Sequence, residues 1–379
     1  MGCQIIKELP TDSVDEANFN SFFLHNPLHP TTLKTGKQAT NQRLEYIDVA
    51  KGLLITLVVI GHSWRAAYNN GILNNTALYH LVDSWIYAFH MPAFFFISGL
   101  FAMQSAKKSV KAFISTKLRT IAYPYLLWSF IQSALQLMMT GNTTSAITVT
   151  DILKIPIHPV MQFWFLYSLF FIFIFFIILR QVTDSHSLPL CVGVLLFIVV
   201  RTEHAPNYSP IIYLMNNFIY FSAGIYFSLY LSTLFQNFTK SFRLPLFLFI
   251  ITLFLTFIIP NVSDNIASPM NLWLSPIFAV PGMALTLLTA LLIQMRATRF
   301  TKAFDLLGKR SLEIFVAHTI FSAGFRIATI KLTGINFMSF HLSGAVVAGL
   351  VGPLLIAHLA DLLRFRYLFT YPSPKTTIA

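Results

Sequence analysis

The chain has 379 residues, of which 55% are hydrophobic and only 11% charged, with 38 phenylalanines among them. A mean hydropathy of +0.66 and long uncharged runs exclude an ordinary soluble domain and point to an all-α, polytopic membrane protein. The formal net charge of +12 invites a nucleic-acid reading, but its distribution along the chain argues against one.

Residues 1–46 are polar, carry both signs of charge and lack the apolar core of a signal peptide. They read as a cytosolic, partly disordered tail. Met1-Gly2-Cys3 starts like a lipidation signal, yet Ile6 stands where myristoylation wants Ser or Thr. Cys3 and Cys191 are too far apart for a metal or redox motif. From 47 to 363, apolar runs between polar breaks give ten expected spans: 47–66, 81–103, 119–140, 160–179, 188–201, 210–234, 244–260, 272–293, 311–330 and 342–363. Pro124, Pro281 and Pro353 fall inside spans, where kinks are tolerated if neighbours satisfy the freed backbone. Residues 364–379 form a short second tail. With the N-terminus in the cytosol, most of the 26 basic residues fall on the inner side, in the 107–119 and 296–310 loops and the two tails. The positive-inside rule favours that orientation and places both termini in the cytosol. The excess charge is then topogenic, with anionic lipid heads or an anionic cofactor as further partners. No nucleic-acid partner is expected.

The first span holds Lys51 and, eleven residues on, His62. That interval is three helical turns, roughly 16 Å, and leaves the two side chains within about 20° of one face. Ionisable groups inside a bilayer are costly and mark functional sites by default. A cation and an imidazole on one stripe therefore suggest a polar channel with a base in it. Asp48, one turn before Lys51, can form an i,i+3 pair with it; Lys51 otherwise snorkels to the inner surface. In the second span His90 falls at a depth close to that of His62, with Asp83 seven residues earlier on the same face. The two histidines line one cavity, or His90 is satisfied on a backbone carbonyl beside Pro92. Ser98-Gly99 allows close helix packing or close contact with a ligand. Trp164 opens the fourth span, where an interfacial aromatic is ordinary. Glu313 enters the ninth span with His318 five residues deeper. The acid either complements Lys51 or a basic loop, or simply suits the first turn of its helix. No metal-ligand spacing, phosphate loop or nucleophile elbow is present in the sequence.

Together these residues resemble a known family. Asp48-x-x-Lys51-Gly52, a gap, then Gly61-His62-Ser63 is similar to the signature of the acyltransferase-family-three membrane enzymes. Phe89-His90-Met91-Pro92 and Phe96-Ile97-Ser98-Gly99 resemble the fucose 4-O-acetylase branch, and Phe163-Trp164-Phe165-Leu166, Phe221-Ser222-Ala223-Gly224 and Leu307-Gly308 through His318 follow in the family's order. The resemblance implies an integral O-acetyltransferase of a bacterial inner membrane. Its donor would be cytosolic acetyl-CoA, and its acceptor a sugar hydroxyl of a surface polysaccharide, lipopolysaccharide or lipid-linked precursor. It implies His62 as the catalytic histidine, Lys51 as its basic partner and Glu313 as an important acid. It also implies Lys117, Arg119 and Arg310 as contacts for the coenzyme phosphates, although the usual double-arginine spacing is not kept here. The rival from another class is a proton-coupled secondary transporter, for which matching interrupted helices in two halves are not seen.

Overall fold

The computed structural model describes residues 36–139, 147–264, 268–296, 299–334 and 337–372. The expected disorder of the first 35 residues and the lipidation-like start lie outside the described residues, as do the last seven residues of the chain. Apart from single-turn pieces, the described helices are α1 (Gly36–Asn69), α2 (Thr76–Leu100), α3 (Val110–Lys117), α4 (Tyr123–Met138), α5 (Trp164–Val182), α6 (Ser187–Val199) and α7 (Ser209–Phe227). They continue with α8 (Leu231–Thr239), α9 (Arg243–Asp264), α10 (Ser268–Met295), α11 (Arg299–Lys309), α12 (Ser311–Thr333) and α13 (Met338–Leu362). No strand occurs among the described residues. The protein is all-α and polytopic.

Among the described residues, six segments are long and apolar enough to cross a membrane: Glu45–Asn69, Thr76–Leu100, Met161–Val182, Trp273–Met295, Ser311–Thr333 and Met338–Leu362. The expected spans at 188–201 and 244–260 fall on the shorter apolar helices Ser187–Val199 and Arg243–Thr256. Those at 119–140 and 210–234 fall on interrupted helix. The first interruption has a local cause. Pro124 has no N–H to donate and enters α4 at its first turn, where the missing donor costs least. The turn before it, Leu118–Ala122, is π-helical, and the Tyr123 N–H reaches back to the Leu118 carbonyl.

α1 starts at Gly36, so the polar stretch before the expected span continues the same helix; Tyr46 stacks on Phe235 at 5.1 Å. The segment after α13 also packs. Tyr123 Oη donates to the Tyr367 carbonyl at 2.7 Å, Trp128 Nε1 donates to the Leu368 carbonyl at 2.8 Å, and Phe369 stacks on Trp128.

Two backbone approaches lock the bundle around the motif helices. A Cβ on Gly308 would lie 1.7 Å from the Asp48 carbonyl oxygen, and one on Gly52 would lie 2.0 Å from that of Phe304. Hence α11 lies directly on the backbone of α1. Likewise a Cβ on Gly99 would meet the Phe221 oxygen at 1.9 Å, and one on Gly224 the Phe96 oxygen at 2.1 Å. That close approach is the packing role of Ser98-Gly99, with small residues letting helix backbones meet. Phenylalanines fill the remaining space: Phe95, Phe163, Phe176, Phe218 and Phe221 are fully buried, and Phe173 meets Phe221 edge-on at 5.1 Å.

Candidate active site

Lys51 lies 3% exposed, with its ammonium 2.6 Å from Asp48 Oδ1 one turn earlier on α1. It lines a cavity of about 40 Å³, whose wall includes Phe94, Ser98, Phe165, Ser311 and Phe315. The volume holds a few waters at most. Apart from the ammonium, the polar groups on the wall are the hydroxyls of Ser98 and Ser311. Ser98 Oγ donates to the Phe94 carbonyl at 2.9 Å, leaving its lone pairs toward other donors. Lys51 therefore does not snorkel: it is a buried cation paired with Asp48 at the edge of a small apolar space.

His62, farther along α1, is half-buried. Its ring lies 5.1 Å from that of His318 and 6.3 Å from that of Tyr87. His318 is fully buried, and its Nδ1 donates to the Phe315 carbonyl at 2.8 Å and the Ile314 carbonyl at 3.1 Å. Because carbonyls only accept, the proton of neutral His318 sits on Nδ1 and Nε2 is left as an acceptor. That Nε2 is sealed from solvent and has no hydrogen-bond partner among the described residues. His90 is fixed the same way, with Nδ1 donating to the Ile86 carbonyl at 2.7 Å. The backbone-satisfied reading of His90 therefore holds. Its ring meets Tyr87 at 4.7 Å, so Tyr87 contacts both His62 and His90. Asp83 is held by Arg65, whose Nε and Nη2 donate to its two oxygens at 2.6 and 2.9 Å. The same guanidinium lies 3.2 Å over the Tyr87 ring.

Among the described residues, the cavity beside Lys51 does not include His62 in its wall. The Lys51 cavity reaches Phe315, whose ring is 6.3 Å from that of His318, and His62 lies beyond it. Phe94, Phe165 and Phe315 form an aromatic side of that cavity, with ring centroids 5.8 and 5.3 Å apart in sequence of contact. An apolar run shows which helix is buried but not how much room its large side chains leave.

Glu313 is buried, and it meets Arg310 rather than Lys51, with Nη1 to Oε1 at 3.2 Å. Its Oε2 is sealed and has no hydrogen-bond partner among the described residues. Arg310 also reaches Asp361 Oδ2 at 2.5 Å, so this guanidinium is spent on two carboxylates and not held open for phosphate. Lys117 is buried with its ammonium 3.5 Å from the Phe173 ring centroid, an aromatic setting unlike a phosphate cradle. Burial pushes its pKa down to about 7, and Lys108 adds to the fall. Arg119 is half-buried and its carbonyl accepts from the Tyr371 N–H. Trp164 is partly buried and packs on Tyr213 at 5.2 Å, inside an aromatic group with Phe95 and Phe165.

Sequence reasoning missed a polar group beside His318. Gln162 Nε2 donates to Gln132 Oε1 at 2.7 Å and to Thr319 Oγ1 at 3.1 Å, and Thr319 Oγ1 donates to Gln132 Oε1 at 2.8 Å. The ring of bonds ties α4 and the turn before α5 to α12. Gln132 and Gln162 were legible as amides inside apolar runs, and Arg65 as a charge one turn after His62.

The pattern of the acyltransferase domain matches residues 44–358, most of the chain, with Lys51, His62, Glu313 and His318 inside it. This chain belongs to acyltransferase family 3. Nodulation protein NolL of Mesorhizobium japonicum is 29% identical over 176 residues, covering 45% of this chain and 43% of that protein. The match thus spans less than half the length of this relative. No solved structure matches.

Proposed function

We propose that this acyltransferase is a ten-span protein of a bacterial inner membrane with both termini in the cytosol. It takes acetyl from cytosolic acetyl-CoA and places it on a sugar hydroxyl of a surface polysaccharide, lipopolysaccharide or lipid-linked precursor. The observation that carries the reading is the arrangement on α1. A buried ammonium borders a cavity, and roughly 16 Å along the same face a half-buried imidazole stands against the unpartnered Nε2 of His318.

His62 is the general base. One ring nitrogen takes the proton of the acceptor hydroxyl as its oxygen attacks the thioester carbonyl. The tetrahedral intermediate then collapses, the C–S bond breaks, and the imidazolium returns the proton to the departing sulfur. For that task one His62 nitrogen must be bare and aimed at the acceptor. His318, whose Nδ1 is held by its two carbonyls, offers Nε2 as an acceptor; a turn of the His62 ring that brings its N–H onto that nitrogen would leave the other His62 nitrogen basic. His318 is in this sense a positioning residue, and so is His90, through Tyr87. The distance from Lys51 to His62 suits Lys51 to the coenzyme's pantetheine–phosphate end better than to the oxyanion. Glu313 acts through Arg310 and Asp361 to fix the start of α12. Among the basic side chains of the 107–119 loop, Arg119 remains the candidate for coenzyme phosphates.

The test is His62→Ala in the purified full chain and in cells. CoA release from acetyl-CoA, and the one-acetyl mass difference in the surface glycans, should both disappear while the protein still inserts and folds. Unchanged glycan acetylation in that variant would remove His62 from the mechanism.

A further inference from the structure

The far part of α12 carries a charge that the acyl-transfer site does not use. Arg326 is only 8% exposed. Three other part-buried arginines have acceptors: Arg65 has Asp83, Arg310 has Glu313 and Asp361, and Arg201 has Asn216 and the Phe197 carbonyl. Arg326 makes no hydrogen bond or ion pair among the described residues. Its nitrogens are nevertheless absent from the sealed, unpartnered atoms, so the stem is packed while the guanidinium keeps a small accessible surface. A snorkelling arginine would show its head at the surface and be far more exposed. A cation kept inside a bundle without a carboxylate is costly, which marks it as functional.

Its place on the helix connects it to the site. Helical periodicity puts Arg326 within about 20° of both Phe315 and Thr319, roughly 16 Å beyond the first and roughly 10 Å beyond the second. Phe315 lines the Lys51 cavity, and Thr319 belongs to the Gln132–Gln162 ring of hydrogen bonds next to His318. One face of α12 therefore runs from the cavity wall, past His62's neighbourhood, to an unsatisfied guanidinium. Arg65 lies near His62 too, but Asp83 already neutralises it. A planar guanidinium with open nitrogens suits two-point recognition of a phosphate or carboxylate.

We propose that Arg326 binds an oxyanion, phosphate or carboxylate, carried by the acyl acceptor, and so holds the acceptor with its reacting hydroxyl toward His62. The proposal rests on the acyltransferase reading and names the chemical class of its acceptor: an anionic glycan or a phosphate-linked sugar. Two probes separate the sources. The full chain is placed in phosphatidylcholine nanodiscs with or without a polyprenyl phosphate, or given soluble glucuronate, and binding is read as a ligand-dependent rise in Tm. The wild type should respond to at least one probe. A response to polyprenyl phosphate alone identifies a lipid-linked acceptor, and one to glucuronate alone identifies an acidic sugar. Loss of a hydrogen-bonded charge should weaken binding by about 10- to 100-fold in Arg326→Gln. Arg326→Lys keeps the charge and stem, guards against a folding failure of the first variant, and should bind with intermediate strength. No response of the wild type to either probe, or undiminished binding in both variants, overturns the proposal. His62→Ala separates the two readings, because it should lose acetyl transfer and keep the probe response. Probe binding that depends on Arg326 in a protein without any acyl transfer would sink the acetyltransferase reading and leave the oxyanion site standing.

Discussion

Lys51 sits in a pair that serves structure as well as chemistry, and the two roles separate by substitution. Its ammonium is 2.6 Å from Asp48, whose side chain is only 15% exposed. Lys51→Met leaves that carboxylate in a largely desolvated position facing a thioether. Breaking a buried pair from one side costs about 3–5 kcal/mol, whereas replacing both members by neutral groups of similar volume is close to neutral. Lys51→Met should therefore lower Tm by several degrees, and Asp48→Asn combined with Lys51→Met should restore it. Activity should behave differently. If Lys51 touches the bound coenzyme or the developing oxyanion, its loss costs about 10²–10³ in rate whatever Asp48 becomes. The assay is thiol release from acetyl-CoA in nanodiscs, with Tm followed on the same samples. Recovery of both Tm and rate in the double variant would show that Lys51 is only a counter-ion for Asp48, and its role toward the coenzyme would fall.

Gly308→Ala should force α11 off α1, because a Cβ 1.7 Å from the Asp48 oxygen needs more than an ångström of backbone movement. The expected cost is about 1–3 kcal/mol or more, with a loss of acyl transfer because Asp48 holds Lys51. Gly324→Ala on α12 meets no atom within 4 Å and should be neutral or stabilising in the same thermal assay; equal losses in the two variants would refute the packing argument. Lys117 supplies a pH test. Its folded pKa of about 7 lies below the ordinary lysine value of 10.5, so the unfolded chain binds the extra proton between those limits and stability rises with pH across them. Lys117→Met removes a penalty of at most about 5 kcal/mol, offset by up to about 2 kcal/mol of lost contact between the cation and Phe173. The variant should be the more stable at pH 6, and the gap should close toward pH 10; parallel Tm profiles from pH 6 to 10 would show that burial does not perturb Lys117.

Much of the site is legible in the chain alone. Lys51 and His62 share a face because helical rise and twist are fixed numbers, and the Asp48–Lys51 pair follows from an i,i+3 spacing. The family motifs lie in the order expected, and Gly52, Gly99, Gly224 and Gly308 stand where backbones touch. The helix locations follow from apolar runs, since a bilayer admits little else. Partners between distant segments are not legible. Asp83 lies seven residues before His90, yet it binds Arg65; Glu313 meets Arg310 and, through it, Asp361, instead of Lys51.

The amino-acid order by itself determines the all-α membrane class, the helical phase of each ionisable residue and the family, because hydropathy and periodicity are properties of single segments. Tertiary structure alone decides which charges neutralise each other, that aromatic rings line the space beside Lys51, that the sealed Nε2 of His318 falls near His62, and that Arg326 has no partner among the described residues. Those outcomes depend on how the helices cross, and on side-chain volumes and contacts between residues far apart in the chain.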